Sequence, residues 1–174
     1  MKTGDILLVH SQSWLAKIIQ KFQMKKDPEA GYWNHSGIIF VDSSGVYVVE
    51  AAEIEGYKVK SAVVITPLHE YTNSERELLL LSANKEPSER FKRIMFKYVG
   101  IPYDYKNLVW DQVWRLLKGV WRGRDKEKAW KRMVCHEYVQ KVWNEYNGIF
   151  PEWNKAMVSE EYHSKDFTHK EIVR

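Results

Sequence analysis

Cysteine is nearly absent: Cys135 stands alone in 174 residues, so the chain can form no internal disulfide and its thiol stays available for chemistry. There is no long hydrophobic run. Nothing approaches the roughly 20 apolar residues of a spanning helix, which excludes a transmembrane protein of the helical kind. The stretch Gly4 to Val9 is a turn leading into a short apolar strand and lacks the regions of an export signal, so a reducing, cytoplasmic setting is expected. Internal repeats and low-complexity tracts are missing too, which excludes solenoids and disordered arrays. Gly119 and Gly123 do not make a phosphate-binding loop. His136-Glu137-Tyr138-Val139-Gln140 falls short of the zinc-binding HExxH helix, because Gln140 stands where the second ligand belongs. No metal and no cofactor are expected.

What is present describes a soluble globular chain: 44% hydrophobic residues, 29% charged residues and a mean hydropathy of -0.51. The length suits one domain spanning residues 1–174 with a core of its own. The net charge of +4 is unevenly spread. From Lys106 to Arg132 nine Lys and Arg residues face three acids, a net of +6. This stretch also carries Trp110, Trp114 and Trp121 at helical spacing, read first as a core-facing stripe and second as a contact for an acidic partner or a membrane surface. Nucleic acid is not expected, since no recognised nucleic-acid motif accompanies the charge.

Hydrophobic periodicity orders the elements. Gly4 to Val9 predicts a strand and Ser13 to Met24 a helix. Asn34 to Val41 and Val46 to Ala52, joined by Asp42-Ser43-Ser44-Gly45, predict a β-hairpin, and Lys58 to Ile65 predicts another strand. From Ser74 onward the texture reads as helical, through a Leu-rich stretch, then Glu89 to Val99, Leu108 to Trp121 and Val134 to Tyr146, with an irregular tail after Pro151. Strands early and helices late predict an α+β domain with an antiparallel sheet.

If the hairpin pairs Val41 with Val46, paired positions sum to 87, and His35 lies diagonal to Glu50 on one face. Such diagonal positions sit about 7 to 8 Å apart, within reach for the two side chains to meet. Glu50 also interrupts the apolar run Val46 to Val49 with a charge whose burial demands a partner. A carboxylate on one ring nitrogen fixes the imidazole and leaves the other nitrogen for a thiol. Cys135 falls near the start of a helix, where thiol pKa values drop. Alone, a cysteine beside Val134 reads as a small core residue and His35 as a satisfied polar group; their conjunction with Glu50 points to thiol chemistry.

The blocks Gly4-Asp5-Ile6-Leu7-Leu8, Asn34-His35-Ser36-Gly37-Ile38, Val48-Val49-Glu50-Ala51, Gly100-Ile101-Pro102-Tyr103-Asp104 and Cys135-His136-Glu137-Tyr138-Val139 resemble the ordered motifs of the permuted NlpC/P60 group, which includes YiiX/YebB-like and YaeF-like proteins. That resemblance implies a circularly permuted papain-like fold with Cys135 as nucleophile, His35 as base and Glu50 orienting the base. It implies cleavage of a peptide, isopeptide or lipid amide, or of an ester, through an acyl-thioenzyme. Peptides, peptidoglycan fragments and lipid-like molecules are the substrate classes it admits. Serine commonly follows the cysteine in that family. His136 stands there instead and gives the block a likeness to lecithin retinol acyltransferase-like proteins, so acyl transfer is the alternative within the same chemistry. A non-catalytic binding module with a basic, Trp-rich surface is the alternative outside it. Tyr103 and Asp104 take no assigned chemical role.

Overall fold

The computed structural model describes residues 1–12, 14–52, 62–74, 76–104, 131–153 and 158–171. In chain order the described elements are β1 (Ile6–His10), α1 (Trp14–Gln23), a 3-10 turn (Ala30–Tyr32), β2 (His35–Asp42), β3 (Gly45–Ala52), β4 (Ala62–Pro67), α2 (His69–Thr72) and β5 (Glu77–Ala83), followed by α3 (Glu89–Lys97), α4 (Cys135–Asn147), α5 (Val158–Tyr162) and β6 (Phe167–Glu171). The strands form one six-stranded sheet in the order β4-β3-β2-β1-β5-β6, and every neighbouring pair is antiparallel.

The hairpin forms in the predicted register. Val41 pairs with Val46, Ile39 with Val48 and Ile38 with Val49, without a bulge between them. The two-residue turn Ser43-Ser44 is held by Asp42, whose carboxylate accepts the Ser44 N–H at 2.7 Å. This closure sets the parity of both strands, and hence which side chains share a face.

Both faces of the sheet are covered. On one, Ile6, Leu8, Ile38, Val49 and Leu81 pack against Phe91 and Met95 of α3 and Tyr138 and Val142 of α4. On the other, Leu7, Val9, Ile39, Val48, Leu78 and Leu80 surround Tyr71 of α2. Each such aliphatic side chain, fully buried, contributes about 1.5–3 kcal/mol. Double coverage explains why the Leu-rich stretch after Ser74 misleads. Leu78 to Leu81 is not helical but the middle of β5, and a strand buried on both sides reads as an unbroken apolar run rather than an alternating one. The tail is likewise not wholly irregular, since β6 pairs with β5 from Leu79↔Glu171 to Ala83↔Phe167. The expected helix from Leu108 to Trp121 lies outside the described residues.

The Gly4-Asp5 block has a structural purpose. Buried Asp5 accepts the Ala83 N–H at 3.0 Å and the Lys2 N–H at 2.9 Å, tying the start of β1 to the end of β5. Gly4, at φ 94°, makes the turn that brings it there.

Candidate active site

His35 opens β2, Glu50 lies near the end of β3, and Cys135 is the first residue of α4. The register places His35 and Glu50 diagonally, and the His35 Nε2–Glu50 Oε2 hydrogen bond forms as expected. Gly37 makes room for it: a Cβ at that position would lie 2.4 Å from Val48 Cγ1 and 3.1 Å from Glu50 Cβ. With Nε2 engaged, Nδ1 is the ring nitrogen left to meet Cys135, whose thiol hydrogen-bonds with His35 and also accepts the backbone N–H of Ser36.

Two short segments deliver the cysteine. The Met133 N–H donates to Pro102 O at 3.1 Å and the Asp104 N–H to Met133 O at 3.3 Å, so the Pro102-Tyr103-Asp104 block guides the chain into α4. Then Glu137, the third residue of α4, accepts the Val134 N–H at 3.2 Å, an N-terminal cap that fixes where the helix begins. The first turn of a helix carries N–H groups without intrahelical partners, which favour negative charge beside them.

Glu50 is almost fully buried at 1% exposure, yet it holds its charge. Burial pushes its carboxyl up, but hydrogen bonds from His35, Thr66 and Tyr71 and the His35 charge bring it below the usual carboxylate range. Tyr71 donates its hydroxyl to Glu50 Oε2, and burial together with the Glu50 charge raises the phenol so that it stays a donor. For His35, burial disfavours the imidazolium, but Cys135 and Glu50 outweigh it and lift the pKa to about 10. Burial opposes the Cys135 thiolate as well, and the His136 and His35 charges, with the hydrogen bonds from His35 and the Ser36 N–H, bring the thiol down to about 7. The two shifts run in the same sense: each group favours the charged form of the other, thiolate beside imidazolium. Cys135 is 6% exposed while the His35 side chain keeps 21%, so the site opens to solvent on the histidine side.

On the other side of β2 a second buried cluster adjoins Cys135. His136 Nδ1 is 2.9 Å from Ser36 Oγ and 3.2 Å from both Glu161 oxygens, and Gln140 donates to Glu161 at 3.1 Å. The sequence brings Cys135, His35 and Glu50 into view, and the structure joins all three. It does not bring forward Tyr71, Thr66, Ser36 or Glu161. Tyr71 in particular sits in a four-residue helix whose apolar spacing carries no signal.

A sheet whose histidine strand precedes the cysteine helix has the permuted papain-like order. Residues 1–114 match the family described as permuted papain-like amidase enzyme, YaeF/YiiX, C92 family. The chain belongs to that family of cysteine amidases; the matched residues include His35 and Glu50 and end before Cys135. Its fold is similar to that in the crystal structure of metalloprotein yiiX from Escherichia coli O157:H7, with a TM-score of 0.62 over 97% of this chain and 96% of that one at 17% identity. No curated protein matches the chain in sequence. Among the described residues no helix is long and apolar enough to cross a membrane.

Proposed function

We propose that this amidase-family protein cleaves its substrate through an acyl-thioenzyme, with Cys135 as nucleophile, His35 as base and acid, and Glu50 as the group that orients His35. The observation that carries the reading is the unbroken chain Cys135–His35–Glu50, with the sulfur at a helix N-terminus. The thiolate attacks the substrate carbonyl carbon and forms a C–S bond. The developing oxyanion lies beside the first-turn N–H groups of α4, that of Cys135 among them. The His35 imidazolium gives its Nδ1 proton to the leaving amine as the C–N bond breaks. Neutral His35 then takes a proton from water, whose hydroxide displaces the sulfur and releases the acid. Glu50 holds the ring in place and stabilises the imidazolium at rest.

Peptide, isopeptide and lipid amides, peptidoglycan fragments and the corresponding esters all fit this chemistry. The stretch from Lys106 to Arg132 is the proposed contact for an acidic partner or membrane surface; all of it but Lys131 and Arg132 lies outside the described residues. The E. coli protein of similar fold is named a metalloprotein. Among the described residues here no three His, Cys, Asp or Glu side chains group so as to hold an ion, and the reading rests on the side chains already named.

Intact-mass spectrometry with an activated acyl ester tests the proposal. An acyl adduct on Cys135 in the wild type, absent in Cys135→Ser and slow to form in His35→Ala, is expected. Adduct decay in water marks hydrolysis; decay only with an added amine or lipid acceptor marks acyl transfer. A thiol that alkylates with an ordinary pKa of about 8.5 in both wild type and His35→Ala would overturn the reading in favour of a binding module.

A further inference from the structure

The cluster on the far side of β2 takes no part in the bond-making and proton-transfer steps described so far. Ser36 and Glu161 are 0% exposed, Gln140 0% and His136 3%, and His136 Nε2 is buried without a hydrogen-bond partner. Taking an imidazole and a carboxylate out of water costs several kcal/mol per ion, and apolar residues of the same size commonly serve packing as well or better. Such a pair therefore calls for a beneficiary. Beyond Glu161 itself, the buried group that gains from a positive charge here is the Cys135 sulfur, whose residue precedes His136 in the first turn of α4.

Strand β2 is the element both sides share. His35 faces the sulfur from one side of the strand. The next residue, Ser36, gives its backbone N–H to the sulfur and extends its hydroxyl to the opposite side, 2.9 Å from His136 Nδ1 and 3.5 Å from Glu161 Oε1. Glu161 lies on the Nδ1 side of the His136 ring, and Gln140 fixes its carboxylate from one turn further along α4. The pair thus has its positive end in α4's first turn and its negative end on α5.

We propose that His136 and Glu161 are positioning residues for the reactive thiolate: a buried ion pair, fixed to β2 through Ser36, that sets a second positive charge beside Cys135 opposite His35. The inference rests on the reading of Cys135 as nucleophile. The directions of titration support it. Burial disfavours the His136 imidazolium, but Cys135 and then Glu161 raise its pKa, while His35 works against it. For the thiol, burial is opposed first by His136 and then by His35. The groups that act on His136 are thus Cys135 on its own helix, Ser36 on β2 and Glu161 on α5 by contact or adjacency, and His35 from across β2 as a charge. In a low-dielectric surrounding a cation so placed acts on the sulfur far more strongly than it would in water.

The pH dependence of iodoacetamide alkylation, measured on wild type, His136→Gln, Glu161→Gln and His35→Ala, tests it. Both His136→Gln and Glu161→Gln are expected to move the Cys135 midpoint up by about one unit, roughly a tenfold loss of thiolate at pH 6, with near-UV circular dichroism unchanged. Midpoints equal to the wild type's, with only a lowered melting temperature, would reduce the cluster to a packing device and overturn the inference. A midpoint that moves in His35→Ala but in neither of the other two overturns the inference alone. An ordinary midpoint of about 8.5 in every protein overturns the nucleophile reading with it. Should the variants fail to fold, nitrogen NMR of the His136 ring in wild type before and after Cys135 alkylation decides the matter. Coupling is reciprocal, so blocking the sulfur is expected to lower the His136 midpoint, and an unmoved midpoint would overturn the inference.

Discussion

Two buried carboxylates, Glu50 and Glu161, each hold a histidine, and β2 runs between them. Glu50 grips His35 from the neighbouring strand, on the face that also carries Tyr71. Glu161 grips His136 from α5, across the opposite face. The two pairs are alike in chemistry and differ in reach. His35 touches the thiol and keeps 21% of its side chain open, whereas His136 is sealed at 4% and meets the sulfur only as a charge. Proton transfer needs contact and access, and a fixed electrostatic influence needs neither. The same residue types therefore support two different roles, decided by placement.

Breaking the contact pair is expected to give the largest effect. His35→Ala removes the proposed base and proton donor and should slow acyl-enzyme formation by about 10²–10⁴-fold, measured by mass spectrometry of the Cys135 adduct. His136→Gln should slow it far less at pH 8, where most of the thiolate persists, and its deficit against the wild type should grow as the pH falls. The sign follows from the sulfur: its pKa is lowered, so thiolate is lost as pH falls through about 7 and any weakened support tells there first.

Removing the carboxylates themselves should erase the difference between the two sides. Glu50→Ala removes the carboxylate that Tyr71, Thr66 and His35 share, and Glu161→Ala removes the one that His136 and Gln140 share. Breaking a buried pair by deleting one partner costs about 3–5 kcal/mol, so both variants should unfold at markedly lower urea concentration. A small loss at Glu161 with a large one at Glu50 would show that the far-side pair is poorly formed.

The two sides also differ in how far the sequence discloses them. His35 and Glu50 lie 15 residues apart in a hairpin closed by a two-residue turn, so parity alone decides that they share a face. Glu161 comes 25 residues after His136 and 125 after Ser36, and only the packing of α5 brings it there. Nothing in a period of 2 or 3.6 encodes such a meeting. The misreading of Leu78 to Leu81 has the same origin. Whether an apolar run becomes a helix or a doubly covered strand depends on what packs on its second face, here Tyr71 and its neighbours. The permuted papain-like order, by contrast, is visible in the succession of short motifs, because each is dictated locally. Gly4 makes a turn, Gly37 makes room, and Glu137 caps the helix that Cys135 begins.

Tyr71 sharpens the comparison, because it gives Glu50 an additional donor within the sheet's second apolar cluster. Tyr71→Phe keeps the ring and removes only the hydroxyl. Hydrogen bonds to charged groups contribute about 1.5–3 kcal/mol, so the melting temperature should fall by roughly 4–10 °C for a chain of this size. The alkylation midpoint should hardly move, since His35 still holds Glu50. A midpoint that rises toward 8.5 would mean that Tyr71, rather than His35, keeps Glu50 ionised.

Gly37→Ala is the smallest change and the most selective. Its methyl would lie 2.4 Å from Val48 Cγ1, a short side chain in a packed core that cannot swing aside, and 3.1 Å from Glu50 Cβ. Overpacking of this kind costs about 1–3 kcal/mol. The strain falls on one side only: β3 must move away from β2, which lengthens the reach from Glu50 to His35 and leaves Ser36, on the opposite face, bonded to His136. The expected result is a His35 ring less firmly held, with slower acylation of Cys135, while the contribution of His136 to the thiolate survives. Measured together, an acylation rate that drops while the alkylation midpoint stays near 7 would separate orientation from charge in a single variant. If rate and midpoint shift in step, both effects pass through the His35–Glu50 bond, and the far-side pair contributes little to the sulfur.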